Sequence, residues 1–260
     1  MAAHWHTLAG PDGLALRCWW ALPQDRAPRA AVLVLPEVFG VNGWVRSVAE
    51  RLAGEGYAAL ALPIFARTAP DLELGYDEAG LREGRRHRDA VSAGAFLADA
   101  RAAIAWLQAQ PGLEGRPVGC VGFCFGGHLA MLAATLPEVA ATCDFYGARV
   151  SSFRPTGVAG DGSSGSGPSP EPTLAVVPAI PGHLLCLAGD ADPLMPAEEL
   201  EAIAAALAAA QVGRPEGPER RLVVLAGAGH GFMCEARADY QATAAAQGWA
   251  GMLELFERAL

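Results

Sequence analysis

The sequence predicts an α/β fold, a mostly parallel, doubly wound sheet with helices on both faces. Three observations carry that reading. Short, mostly apolar runs recur along the chain, of the kind buried on both faces of a parallel sheet. Between them lie longer stretches with helical periodicity and clear stop signals. The chain has 260 residues, 52% apolar and 18% charged, enough to bury the core of one large globular domain.

Taken in order, Trp5 to Leu8 and Leu14 to Trp20 read as an edge hairpin turned by Gly10-Pro11-Asp12-Gly13. Ala30 to Leu35 is an apolar strand, followed by the loop Pro36 to Gly43 and a helix from Trp44 to Ala53, closed by Gly54 and Gly56. Tyr57 to Leu62 is the next parallel strand. Pro63 to Asp89 shows little apolar periodicity and reads as a long loop, a length usually associated with function or mobility. A helix is expected over Ala90 to Gln110, ended by Pro111-Gly112, then a strand over Val118 to Phe123 and a helix from Phe125 to about Leu136. Ala140 to Tyr146 is a strand. Ser151 to Pro181 breaks the rhythm, and its Gly/Ser/Pro-rich part, Gly157 to Pro172, reads as a flexible surface insertion rather than a packed element. The βα pattern then resumes: a strand from His183 to Ala188, a helix from Ala197 to Ala210, a strand from Arg221 to Ala226, and a closing helix from Tyr240 to Leu260, bent at Gly248. A single domain over residues 1–260 is expected.

The formal net charge of −9 argues against nucleic acid or an anionic membrane as partner. No apolar run is long enough for a membrane span, and the opening Met-Ala-Ala-His-Trp-His does not read as a secretion signal. The six cysteines are scattered, without metal-ligand spacing, so reduced thiols in a cytoplasmic protein, with neither metal nor other cofactor, are expected.

The strand at Val118–Phe123 and the helix from Phe125 meet at Cys124, flanked by Gly122 and Gly126. This is a G-x-C-x-G version of the G-x-S-x-G nucleophile elbow. The glycines leave room for a nucleophile on a sharp, strained turn, and the helix N-terminus favours thiolate. In the chain order that goes with such elbows, an acid and then a histidine follow in loops after later strands. Gly189-Asp190-Ala191-Asp192-Pro193 and Gly227-Ala228-Gly229-His230-Gly231-Phe232 occupy those places, on the sheet edge where Cys124 opens. Asp190 and Asp192 compete for the acid, since one of them can be a turn residue.

These residues, with Pro36-Glu37-Val38-Phe39-Gly40-Val41-Asn42, Gly56-Tyr57-Ala58-Ala59 and Phe65-Ala66-Arg67, resemble the dienelactone hydrolase (carboxymethylenebutenolidase) family over nearly the full chain. The resemblance implies an α/β-hydrolase fold. It implies Cys124 as nucleophile, His230 as base, Asp192 as orienting acid, Glu37 as a carboxylate facing the resting thiol, and the Val38 and Phe125 N–H groups as the oxyanion hole. It also implies an anionic lactone or ester as substrate, held by arginine. Arg82 falls at one family position. The family's second arginine position holds Cys234, with Arg237 three residues on as a substitute, and Arg86 stands where some members carry tyrosine. The insertion after Tyr146 has no counterpart in compact members. The expected activity is hydrolysis of a small, anionic ester or lactone through an acyl-enzyme. A broad carboxylesterase or thioesterase, or a hydrolase-fold binding protein with an idle site, are the alternatives, and the oligomeric state is open.

Overall fold

The computed structural model describes residues 2–157, 171–213 and 216–260. Its eight strands are β1 (Ala2–Ala9), β2 (Ala15–Leu22), β3 (Ala31–Leu35), β4 (Ala58–Ala61), β5 (Val118–Phe123), β6 (Val139–Phe145), β7 (His183–Gly189) and β8 (Arg220–Leu225). They form one sheet in the order β1-β2-β4-β3-β5-β6-β7-β8. The first two strands run antiparallel to their neighbours, and β4 through β8 pair in parallel with β3 in their midst.

Period-two alternation in the central strands feeds two cores at once. Leu33, Leu35 and Cys120 face α3 (Ala93–Gln108) and α4 (Phe125–Ala133). Val32, Val34, Val121 and Phe123 face α1 (Gly43–Glu55) and α6 (Ala242–Ala259). A third cluster joins α5 (Ala197–Gln211) to Leu184 and Cys186 of β7. Because no polar face is needed, these strands are apolar throughout, which is why they stand out in the sequence.

Four expectations are corrected. The long segment before Asp89 is not all loop: α2 (Glu78–Asp89) occupies its end, capped by Asp77, whose Oδ1 accepts from Gly80 N at 2.7 Å. α3 starts at Ala93 rather than Ala90, because Ser92 Oγ caps it by accepting from Ala95 N. Gly248 lies within the continuous α6, where a Cβ would come within 2.7 Å of the Phe145 ring; close packing, not a bend, explains the glycine. The stretch Ser151–Pro181 is not uniformly unpacked. Thr173–Ala179 forms a 3-10 segment with Thr173 and Val177 buried, and Val177 and the following Ile180 belong to the third cluster. Most of the Gly/Ser/Pro-rich part, 158–170, lies outside the described residues. Among the described residues, no helix is long and apolar enough to cross a membrane.

Candidate active site

Strand order reverses at β3: the chain steps to β4 on one side and to β5 on the other. At such a switch point the loops leaving neighbouring strands diverge and open a crevice at the strands' C-terminal ends. The β3 loop supplies Glu37 and Val38, and β5 runs directly into Cys124.

Cys124 has φ 54° and ψ −118°, a conformation L-residues rarely adopt. Its neighbours are glycine for a steric reason. A Cβ at Gly122 would collide with the Gly126 carbonyl, and one at Gly126 with the carbonyls of Leu35 and Pro36. The turn therefore closes directly on the β3 loop, with the thiol left partly exposed at the N-terminus of α4. The N–H groups of Val38 and Phe125 make no hydrogen bond to another described residue.

The loops after β7 and β8 bring two more groups to the thiol. His230 Nε2 lies 3.0 Å from Cys124 Sγ, and Nδ1 lies 2.7 Å from Asp192 Oδ2. Asp192 Oδ1 accepts from Leu194 N at 2.8 Å, so both carboxylate oxygens are engaged. Burial works against a charged His230, but its contacts with Cys124 and the Asp192 carboxylate outweigh it and raise its pKa to about 10. Asp190 sits elsewhere, exposed, accepting from Gly227 N at 2.6 Å and tying the two loops together.

Glu37 is fully buried, and Arg237 Nη1 donates to its Oε1 at 2.8 Å. Its Oε2 has no partner among the described residues. Burial pushes the Glu37 carboxyl up, and Arg237 only partly offsets this. The thiol's close neighbour is thus His230, while Glu37 is drawn to Arg237. Cys234 is buried, its pKa pushed up to about 11.

Over Cys124 and His230 opens a cavity of about 530 Å³, within the range of small-molecule sites. Of the three arginines expected at the substrate, Arg237 lines it, and Arg82 and Arg86 are not among its lining residues. Arg82 is exposed on α2, and Arg86 pairs at the surface with Glu83. The α2 face at the cavity carries Leu81, Arg85 and Arg88 instead. These follow the i, i+4, i+7 spacing of one helix face, which puts Arg82 and Arg86 about 100° around the axis.

Sequence reasoning missed Arg85, Arg88, Arg149 and His128. His128 is buried on α4, its Nδ1–H donating to Ala148 O at 3.0 Å and its Nε2 2.8 Å from Thr173 Oγ1. Burial lowers its pKa to about 4, so the ring is neutral, and Nε2 accepts from the Thr173 hydroxyl. It ties the elbow helix to the loop after β6 and to the 3-10 segment. A histidine one turn after the nucleophile was the available signal.

A mostly parallel sheet that places a strained residue between two glycines at the strand-to-helix turn beside its switch point defines an α/β-hydrolase. The chain belongs to the dienelactone hydrolase family, whose model matches residues 16–260. It is 39% identical over 229 residues to a Synechocystis sp. protein designated "putative carboxymethylenebutenolidase", covering 88% of this chain and 86% of that one. It is 35% identical over 123 residues to the carboxymethylenebutenolidase of Pseudomonas putida, 47% of this chain and 52% of the relative. The crystal structure of a "putative dienelactone hydrolase" from Klebsiella pneumoniae superposes with a TM-score of 0.81 at 26% identity, covering 99% of this chain and 100% of that one. The protein is accordingly a hydrolase acting on esters or lactones.

Proposed function

We propose that the chain hydrolyses a small, anionic ester or lactone through a Cys124–His230–Asp192 triad and a thioester acyl-enzyme. The observation that carries this is the unbroken contact chain Asp192–His230–Cys124, at 2.7 and 3.0 Å, at the floor of the cavity. The Cys124 thiolate attacks the carbonyl carbon, forming the C–S bond and a tetrahedral oxyanion. The N–H groups of Val38 and Phe125 stabilise that oxyanion, at about 3–4 kcal/mol per donor. Collapse breaks the C–O bond, and the leaving alkoxide takes the proton of the His230 imidazolium. His230, now neutral, accepts a proton from the water that attacks the thioester. The second oxyanion collapses to the acid product and restores the thiolate–imidazolium pair. Asp192 holds the ring in the productive tautomer throughout.

Glu37 is the movable carboxylate in this scheme. Arg237 holds it, and a substrate carboxylate that engages Arg237 frees Glu37 to swing toward the Cys124–His230 pair. The apolar wall of Phe39, Phe125, Phe153 and Leu194 favours a second reading, a broad carboxylesterase that takes neutral esters equally well. Comparing kcat/KM for dienelactones and neutral aryl esters separates the two. The covalent step is tested by acid-quenching the protein during turnover and weighing it intact. An added acyl mass is expected on Cys124, absent in Cys124→Ala. Hydrolysis that survives complete alkylation of Cys124 overturns the mechanism.

A further inference from the structure

Four arginines line the cavity over Cys124: Arg85 and Arg88 from α2, Arg149 from the loop after β6, and Arg237. Two already face carboxylates. Arg237 is bonded to Glu37 at 2.8 Å and lies 3.5 Å from Asp239, and Arg88 pairs with Asp89 at 2.6 Å. Arg85 and Arg149 have no carboxylate partner among the described residues. In a chain with 28 acidic residues against 19 lysines and arginines, a shortage of anions does not explain this.

Arg149 is also held in an uncommon way. Its φ is +64°, in the left-handed region where glycine or asparagine is usual. Such outliers persist where the surroundings fix them, often at ligand sites. Here the Arg149 carbonyl accepts from Phe153 N at 2.9 Å, and His128 holds the adjacent Ala148 carbonyl. The guanidinium carbon stands 5.2 Å from the centre of the Phe153 ring, itself on the cavity wall, so the head is oriented without being neutralised. Arg85 stands on a closely packed helix. Next to it, Gly84 packs so closely on the Val38 carbonyl that a Cβ would collide with it, which fixes α2 beside the β3 loop.

We propose that Arg149, with Arg85, binds a carboxylate of the substrate remote from the scissile carbonyl, making them specificity-determining residues. This is a second recognition point, separate from the Arg237–Glu37 pair, and it rests on reading the cavity as the hydrolase site. A planar guanidinium suits a carboxylate by two-point contact, and an ammonium reproduces only the charge.

The test compares 4-acetoxybenzoate, a rigid ester with its carboxylate far from the reacting carbonyl, with its neutral methyl ester. The wild type is expected to prefer the anion in kcat/KM. Arg149→Ala and Arg85→Ala are each expected to reduce that preference by about tenfold, the low end for a hydrogen bond to a charged group at an exposed site. The loss falls on KM with kcat kept, as for binding that is equal in ground and transition states. Arg149→Lys recovers part. Arg149→Gly loses the preference as Arg149→Ala does without a fall in Tm, because glycine adopts the left-handed backbone freely. Equal losses on both esters, or no loss on either, overturn the proposal, as does a preference that vanishes at about 0.15 M salt, where a diffuse surface field is screened. Labelling of Cys124 by 6-maleimidohexanoate relative to a neutral alkylmaleimide gives an independent reading. If the wild type cleaves neither ester, the hydrolase mechanism fails and this ratio alone decides: a ratio lowered in Arg149→Ala supports the subsite, and an unchanged ratio overturns it.

Discussion

Two buried carboxylates approach the site from different loops and are held differently. Asp192, after β7, is 3% exposed and has both oxygens engaged, one by Leu194 N and one by His230. Glu37, after β3, is 0% exposed and has one oxygen on Arg237 and the other without a partner among the described residues. A carboxylate saturated by fixed donors has little reason to move. One that is half satisfied is freer to move, and burial raises its affinity for a proton. In the proposed mechanism this difference suits Asp192 to orienting the imidazole and Glu37 to moving.

Removing the fixed partner tests that separation most severely. Asp192→Asn keeps the shape of the side chain but presents His230 with the wrong tautomer, and kcat is expected to fall by roughly a thousand- to ten-thousandfold while Tm changes little. Steady-state kinetics on any turned-over ester checks this, and near-normal turnover would remove Asp192 from the mechanism.

The next largest effect is on stability. Arg237→Ala leaves Glu37 buried and unpaired, which costs about 3–5 kcal/mol where a buried charge loses its partner. The cost is expected to shrink at low pH, where Glu37 is protonated. Urea denaturation at pH 5 and pH 8 gives the two values, and equal costs at both would show that Glu37 is not the group responsible.

Glu37→Gln is expected to act in the opposite direction. The native pKa of Glu37 lies above its usual value of 4.5, so folding takes up a proton and the wild type loses stability as pH rises through that raised pKa. Glutamine removes this penalty. The stability gained over wild type should be least below about pH 4.5 and grow with pH, accompanied by slower turnover. A gain that does not change with pH would show that Glu37 titrates normally. The smallest effect belongs to Asp190→Asn, which touches only the Gly227 turn and should alter kcat less than about twofold, within the usual ±0.5 kcal/mol of surface changes.

The ease of reading these parts from the sequence follows their physics. Central strands need two apolar faces, and the elbow needs two glycines, so both leave a local signature. His230 and Asp192 follow strands at recognisable places in the chain order. Helix α2 is different, because the face it buries is Gly80, Gly84 and His87, packed by close backbone approach rather than by large apolar side chains. Without the helix, its register was hidden, and with it the place of Arg85 and Arg88 at the cavity, where Arg82 and Arg86 were expected. Thr173 was hidden for another reason. It follows a Gly/Ser/Pro-rich stretch, and nothing local shows that its hydroxyl meets a buried histidine 45 residues away.

The separation of Cys124 from His230, 106 residues along the chain, also orders events during folding. The elbow is a local strand–turn–helix that forms from neighbouring residues, whereas its imidazole arrives only when β8 adds to the edge of the sheet. Contacts this distant in sequence are late and slow to close. On the ribosome, Cys124 therefore emerges well before His230. In the proposed triad the thiol meets its imidazole only when the last strand docks, so its reactivity toward alkylators is expected to report completion of the fold.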